Sequence, residues 1–247
     1  MAQGGTLHGV LDRPELPDER GLRGGDEPPA GVGRRGGELA ETCSWADDER
    51  RRYPWSGSLH FADTPGDCQF FYDRDCHNMN GEKDMCVVGG INNYTTALMN
   101  SSAPLVDPTI SLMFLAHFVG DIHQPLHCGN TADFGGNTII VHWYNTTTTN
   151  LHRVWDLDII QKAMKDFYND DLSIMTQVIM QNITVRYGER AAGVRRGDAG
   201  AEQGSILGDH YFFSALPVVQ KRIAQGGVRL AAILNRIFGE SSRPQSS

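Results

Sequence analysis

No stretch of this 247-residue chain holds the roughly 18 consecutive apolar residues that a membrane-spanning helix needs. Positive charge is also scarce. Against 30 Asp and Glu stand 22 Lys and Arg, a net charge of −8 that speaks against nucleic-acid binding through a broad basic surface. An enzyme that grips phosphate through bound cations stays open, because a carboxylate-rich metal site is itself acidic. The chain has no G-x-S-x-G elbow, no Walker loop and no dinucleotide fingerprint, and Gly135-Gly136-Asn137 is too short for either of the last two. Cys128 beside His127 is no recognised nucleophile arrangement, so catalysis by a side-chain nucleophile fits poorly. The opening MAQGGTLHGVLDRPELPDERG lacks the apolar core of a signal peptide. That predicts either a cytosolic protein or a chain without its natural start.

Five cysteines make an odd count, with Cys68, Cys76 and Cys86 close together and Cys43 and Cys128 apart. The spacing suits one short-loop disulfide, Cys76 to Cys86, in an oxidising compartment. Four N-x-S/T sequons, at Asn93, Asn100, Asn145 and Asn182, also suit a secreted glycoprotein.

Residues 1–37 are rich in Gly, Pro, Arg and acids without helical or strand period, and are expected to be disordered. Residues 38–239 form the expected folded domain, interrupted at 186–204 by a stretch of the same low-complexity texture, and 240–247 form a flexible tail. Within the domain VVGGINNYTTALMN predicts a helix over 87–100. PTISLMFLAHFVG predicts another over 108–120, with its proline in the first turn and Leu112, Leu115, Ala116 and Val119 at helical spacing. Gln124-Pro125 then bends the chain. ADFGGNTIIVHWYNTTTTN reads as a hairpin with a Gly-Gly turn, a strand TIIVHWY and a polar loop. LHRVWDLDIIQKAMKDFY and DLSIMTQVIMQNI follow as helices, and the last helical segment has Val228, Ala231, Ala232, Leu234 and Ile237 as its expected core face. The fold class is mainly α, a helical bundle with a small β-hairpin.

HFVGDIHQPLH, residues 117–127, sets three histidines and an aspartate beside a greasy run. His117 and Asp121 stand at i and i+4 and share a helix face; His152 and Asp156 repeat the spacing in LHRVWD. His127 follows the proline bend, and Asp47 in SWADD and His60 in SLHF are further candidates. Two His/Asp pairs and an extra histidine exceed what one zinc uses, so more than one metal is the natural reading. The bland alternative, helical histidines satisfied as core or surface residues, stands beside it. For His123 that alternative is preferred, since the proline spoils simple facing with His127. His8, His77 and His210 sit in polar contexts and carry no signal.

CSWADDERRRYPWSGSLHFADTP, INNYTTALM, FLAHFVGDIHQPLH, GGNTIIVHWYN, NLHRVWDLDII and RIAQGGVRLAAILNRIFG together resemble the plant members of the zinc-dependent, single-strand-preferring nuclease family. The resemblance covers residues 38 to about 185 and 204 to 239. It implies a helical fold akin to zinc phospholipase C and a cluster of three zinc ions. Position by position, Asp47, His60, His117 and Asp121 match the ligands of one zinc, His127, His152 and Asp156 those of a second, and Asp121 also reaches toward the third. Arg50 and Asn137 look like phosphate contacts, Phe61 like the base-stacking aromatic, and Asp63 like the carboxylate that hydrogen-bonds the base. For Phe61 a core aromatic beside a ligand is the alternative.

The implied activity is hydrolysis of single-stranded DNA and RNA to 5′-phosphorylated products, with 3′-nucleotides as further substrates. Asp47 would orient or deprotonate the attacking water. A monomer, secreted or vacuolar, is expected. The family's third zinc is completed by an N-terminal tryptophan and a nearby histidine. This chain opens on Met1, and His8 lies in GGTLHGVL, so two sites are expected to have their ligands and the third to lack its N-terminal partners. The rival readings are a zinc-binding homologue impaired by that loss and a zinc phospholipase C-like esterase.

Overall fold

The structure is a computed structural model and describes residues 39–66, 69–99, 107–186 and 200–239. The readings of residues 1–37 and 240–247, of His8, Cys68 and Asn100, and of most of 186–204 lie outside these residues. Eight helices lie among the described residues: α1 (Trp45–Asp48), α2 (Tyr72–Asp75), α3 (Val87–Met99), α4 (Pro108–Asp121), α5 (Leu151–Arg153), α6 (Ile159–Phe167), α7 (Leu172–Arg186) and α8 (Asp209–Phe238). Short 3₁₀ turns, among them Pro54–His60 and Pro125–Cys128, link several of them. The strands β1 (Ile140–Trp143), β2 (Thr147–Asn150) and β3 (Ile206–Leu207) make one small sheet. No helix is long and apolar enough to cross a membrane among these residues.

α4 is the axis of the first core. Asp107 caps it by accepting from the Thr109 N–H at 2.7 Å, and Pro108 occupies the first turn, where its missing N–H costs nothing. From Ile110 to Val119 every residue but Leu112 is buried. A helix apolar on all sides has no outer face, and α3 and α8 both pack on this one. Phe114 stacks on Tyr94 and Phe118, with Trp45 and Tyr53 edge-on or tilted around it. Each such fully buried ring contributes about 1.5–3 kcal/mol. Both glycines of the pair in α3 have a reason: a Cβ on Gly89 would collide with the Asp84 carbonyl oxygen, and one on Gly90 would lie 3.0 Å from the Phe118 ring.

The second core gathers Val141, Val154, Ile159, Phe212 and Val219 from β1, the α5–α6 helix and the first half of α8. α5 and α6 run on through a π turn at Val154–Asp158. α8 spans both cores despite the interior Pro217, with Phe212, Ala215, Leu216 and Val219 in the second and Leu230, Ile233 and Ile237 on the first.

Two local expectations change. The packing seam of α8's second half is Gly226, Leu230, Ile233 and Ile237; Val228, Ala231 and Ala232 are exposed. Apolar residues lie on both faces of that segment, and the larger Leu230, Ile233 and Ile237 take the core side. The hairpin's turn is not Gly135-Gly136 but Tyr144-Asn145, both at positive φ (51° and 56°). The threonine run is no loop: β2, with β-branched threonines at 147, 148 and 149, pairs antiparallel with β1, Trp143 against Thr147 and Ile140 against Asn150. β3 adds in parallel, His142 beside Ile206. The Cys76–Cys86 disulfide is present, and Cys43 and Cys128 are free thiols.

Candidate metal centre

The end of α4 meets the seam between the two cores, and there the sequence's candidate ligands come together. α4 supplies His117 and Asp121, the turn ending at His60 supplies that ring, and α1 supplies Asp47. His60 Nδ1 lies 2.9 Å from Asp121 Oδ2, 3.5 Å from Asp47 Oδ1 and 3.1 Å from His117 Nε2. His117 Nε2 lies 3.1 Å from Asp121 Oδ2 and 3.6 Å from Asp47 Oδ2. In the second group His127 Nε2 is 3.3 Å from Asp156 Oδ1 and His152 Nε2 is 3.4 Å from Asp156 Oδ2. The His127 and His152 rings stack at 5.0 Å. Asp121 joins the groups, since its Oδ1 lies 3.2 Å from His127 Nδ1.

These separations fit a cation. Tetrahedral bonds of about 2.0–2.2 Å put neighbouring donor atoms roughly 3.3–3.6 Å apart. Tautomers argue the same way. A carbonyl oxygen only accepts, so His117 Nδ1 donates to Cys43 O (2.5 Å), His127 Nδ1 to His60 O (2.9 Å) and His152 Nδ1 to Gly135 O (2.7 Å). The Nε2 of each neutral ring then turns a lone pair toward carboxylate oxygens. Lone pairs facing lone pairs repel, and a proton or a metal ion relieves them. The same outward bonds hold a ligating imidazole in orientation. His60 is turned the other way: its Nδ1 faces the group, and its buried Nε2 has no hydrogen-bond partner among the described residues.

The electrostatics favour positive charge here. Burial pushes the Asp121 carboxyl up, but hydrogen bonds from His117, His127 and His60 outweigh it and hold the group far below the usual carboxylate range. Burial presses the His127 imidazole down, yet Asp121 and Asp156 push it up to about 10. His117 is raised against its burial by Asp121, whereas burial wins at His60 and lowers it.

Both groups open on a groove of about 960 Å³. Arg50 lines it, half-exposed, with its guanidinium 2.7 Å from Asp47 Oδ1. Asn137 lines it too, its Nδ2 donating to Phe134 O at 2.8 Å. Phe61 is 44% exposed, which removes the core-aromatic alternative. Asp63 stands in the same groove, its carboxyl raised to about 6 by burial and by Asp133. The segment carrying Phe61 and Asp63 runs beside the His127 loop, with Ala62 N–H on His127 O (2.8 Å) and Thr64 N–H on Gly129 O (2.9 Å). His123 also lines the groove but belongs to neither ligand group: Nδ1 donates to Val119 O at 2.6 Å, and Nε2 accepts from Arg229 at 2.7 Å. Asn93 is half-buried on α3, and Asn145 and Asn182 are exposed.

Three contributors escaped the sequence. Gln124, read only as part of a bend, donates to Asp156 Oδ1 at 2.6 Å. Gly135 presents its carbonyl to His152 from a left-handed φ of 62°, where a Cβ would lie 2.3 Å from Leu126 O. The Cys43 carbonyl left no sequence signal at all.

A sequence profile described as S1/P1 Nuclease matches residues 29–239. Endonuclease 2 of Arabidopsis thaliana is 43% identical over 233 residues, covering 82% of this chain and 79% of that protein. Endonuclease 4 of the same plant is 42% identical over 240 residues, 85% and 79% respectively. Nuclease P1 of Penicillium citrinum is 32% identical over 236 residues, 81% of this chain and 85% of that protein.

Proposed function

The chain belongs to the S1/P1 nuclease family, a metal-dependent nuclease with nucleic acid as its substrate, and from that premise we propose that it cleaves single-stranded DNA and RNA to 5′-phosphorylated products and removes phosphate from 3′-nucleotides. The observation that carries the single-strand reading is Phe61, an unburied ring one residue beyond His60 in the groove that both ligand groups face. Stacking on such a ring, worth about 1–3 kcal/mol per base, needs a free base face, and a duplex interior has none to give.

We assign the ions as zinc, held by Asp47, His60, His117 and Asp121 in one set and by His127, His152 and Asp156 in the other. Imidazole with carboxylate is a donor mix that suits zinc, whereas oxygen alone would favour magnesium or calcium. Two groups that could hold such ions lie among the described residues; a third ion would share Asp121. When bound, such ions acidify water and offset negative charge on phosphate.

The chain's own groups divide the remaining work. Asp47, half-exposed, takes up the proton of the attacking water. Arg50, fixed by Asp47, and the amide of Asn137, fixed by Phe134, neutralise charge developing on the phosphate oxygens. Water oxygen bonds to phosphorus, the P–O3′ bond breaks, and the proton taken up by Asp47 passes through solvent to the departing O3′, leaving a 3′-hydroxyl and a 5′-phosphate. Phe61 and Asp63 hold the base. The disulfide and the exposed sequons at Asn145 and Asn182 support a secreted or vacuolar, glycosylated protein.

The test compares one sequence as a single strand and as a duplex, maps product ends, and measures metal content. A single-strand preference of tenfold or more that Phe61→Ala reduces, 5′-phosphate ends and two or three zinc ions are expected. Equal rates on both forms would overturn the single-strand reading. Two zinc ions without hydrolysis would mark an impaired homologue.

A further inference from the structure

Phe134 combines an exposed ring with a strained backbone. Its ring is 62% exposed, and its backbone sits at φ 53°, ψ 49°, the left-handed region that bulky residues avoid. Such a conformation costs about 1–3 kcal/mol and persists only where surrounding bonds impose it. Here they do. The Phe134 carbonyl accepts from Asn137 twice, from the backbone N–H at 3.3 Å and from Nδ2 at 2.8 Å. The next residue, Gly135, is tied to His152. The ring makes no contact with another aromatic ring among the described residues, and neither does that of Phe61.

Both phenylalanines line the one groove. They rise from loops bonded to each other: Thr64 N–H meets Gly129 O at 2.9 Å, and Thr131 N–H meets Thr64 O at 3.0 Å. Phe61 adjoins His60 of the first ligand group, and Phe134 adjoins the glycine that orients His152 of the second. A phosphate held at the two groups thus has an unburied aromatic ring associated with each. In single-strand binding, successive bases stack on successive aromatic platforms.

We infer that Phe134 is a second stacking platform, taking the base next to the one on Phe61, so that the preferred substrate is a run of at least two unpaired nucleotides. The inference rests on the single-strand reading above, and it makes Phe134 a specificity residue. The loop conformation serves to hold the ring over the groove.

Asparagine tolerates left-handed backbone, so Phe134→Asn removes the ring and keeps the loop, while Phe134→Trp restores a stacking face. The probes are thymidine 5′-monophosphate and the dinucleotide pTpT as competitors of single-strand cleavage. Phe134→Asn should weaken inhibition by pTpT by about 5- to 150-fold and leave the mononucleotide unchanged, with Phe134→Trp recovering the loss. The inference is overturned if wild-type protein binds pTpT no better than the mononucleotide, if Phe134→Asn changes neither, or if it weakens both alike, the mark of a loop that merely supports His152. Failure of the parent reading looks different, as equal cleavage of single and double strands by the wild type.

Discussion

Asp121 Oδ1 lies 3.2 Å from His127 Nδ1 while the other oxygen of the same carboxylate touches His60 and His117. One side chain at the last turn of α4 therefore couples two ligand groups that belong to different cores. Removing its charge should disturb both. Asp121→Asn should lose metal at both groups and reduce kcat/KM by about 100- to 10,000-fold, the scale of several kcal/mol of charge stabilisation. Metal analysis of the purified variant, with circular dichroism to verify folding, gives the answer. Full metal content with near wild-type rates would remove Asp121 from the centre.

His123 and His127 are separated by one proline bend and should behave oppositely. Among the described residues His123 bonds to Val119 O and Arg229, and burial, with Arg229 and Arg222 nearby, lowers its pKa below the ordinary imidazole value. His123→Ala leaves the Val119 carbonyl and the Arg229 guanidinium without this partner, a loss of about 1–3 kcal/mol of stability. Its activity should stay within about threefold, because no ligand group changes. His127→Ala should abolish hydrolysis instead. Thermal melts and rates on the two variants decide it; equal loss of activity in both would refute the assignment.

Outside the groove lining, Asp75 offers a stability test with a defined sign. Its nearly buried carboxylate accepts from Arg74 Nε at 2.6 Å and Nη2 at 2.9 Å, and from the Phe71 N–H at 2.7 Å. Arg74 first, and then the Phe71 N–H, hold it below the ordinary carboxylate range against its burial. The unfolded chain therefore binds this proton more readily. The stabilisation is complete above the usual aspartate value of about 3.9 and drains away as pH falls through the folded value. With Arg74 42% exposed, Asp75→Asn should cost only about 1 kcal/mol at pH 7, and the gap should close in strong acid. Urea unfolding at neutral pH and near pH 3 compares them; a gap of the same size at both would exclude the ionic origin.

How much of this was legible depended on the range of the interaction. The helices over α3 and α4 follow from local spacing and from Pro108, and the i, i+4 pairs His117/Asp121 and His152/Asp156 follow from helical geometry alone. The threonine strand and the phase of α8 did not, because each is fixed by what it packs against: β1 in one case, the α4 core in the other. The ligands were visible as residue types, whereas their supports were not. A carbonyl such as that of Cys43 or Gly135 belongs to every residue, and only the folded chain aims it at a ring. Phe134 was passed over for a related reason, since an aromatic beside two glycines gives no hint of whether its ring is buried.

Gln124 is the support that mutagenesis reaches most directly. Its Nε2 donates to Asp156 Oδ1 at 2.6 Å, and its Oε1 accepts from Leu126 N–H at 2.5 Å. The amide thus fixes Asp156 with one end and the turn that carries His127 with the other. Its side chain makes no hydrogen bond to an imidazole among the described residues, so it acts by position. Supports of this kind are worth about 10- to 100-fold in metal affinity. Gln124→Ala should lower affinity at the His127–His152–Asp156 group by that factor and leave the other group's affinity largely intact, read by chelator competition. Added zinc should restore its kcat, because the ligands themselves are still there. A kcat that stays low at saturating zinc would mean that Gln124 acts on the substrate directly.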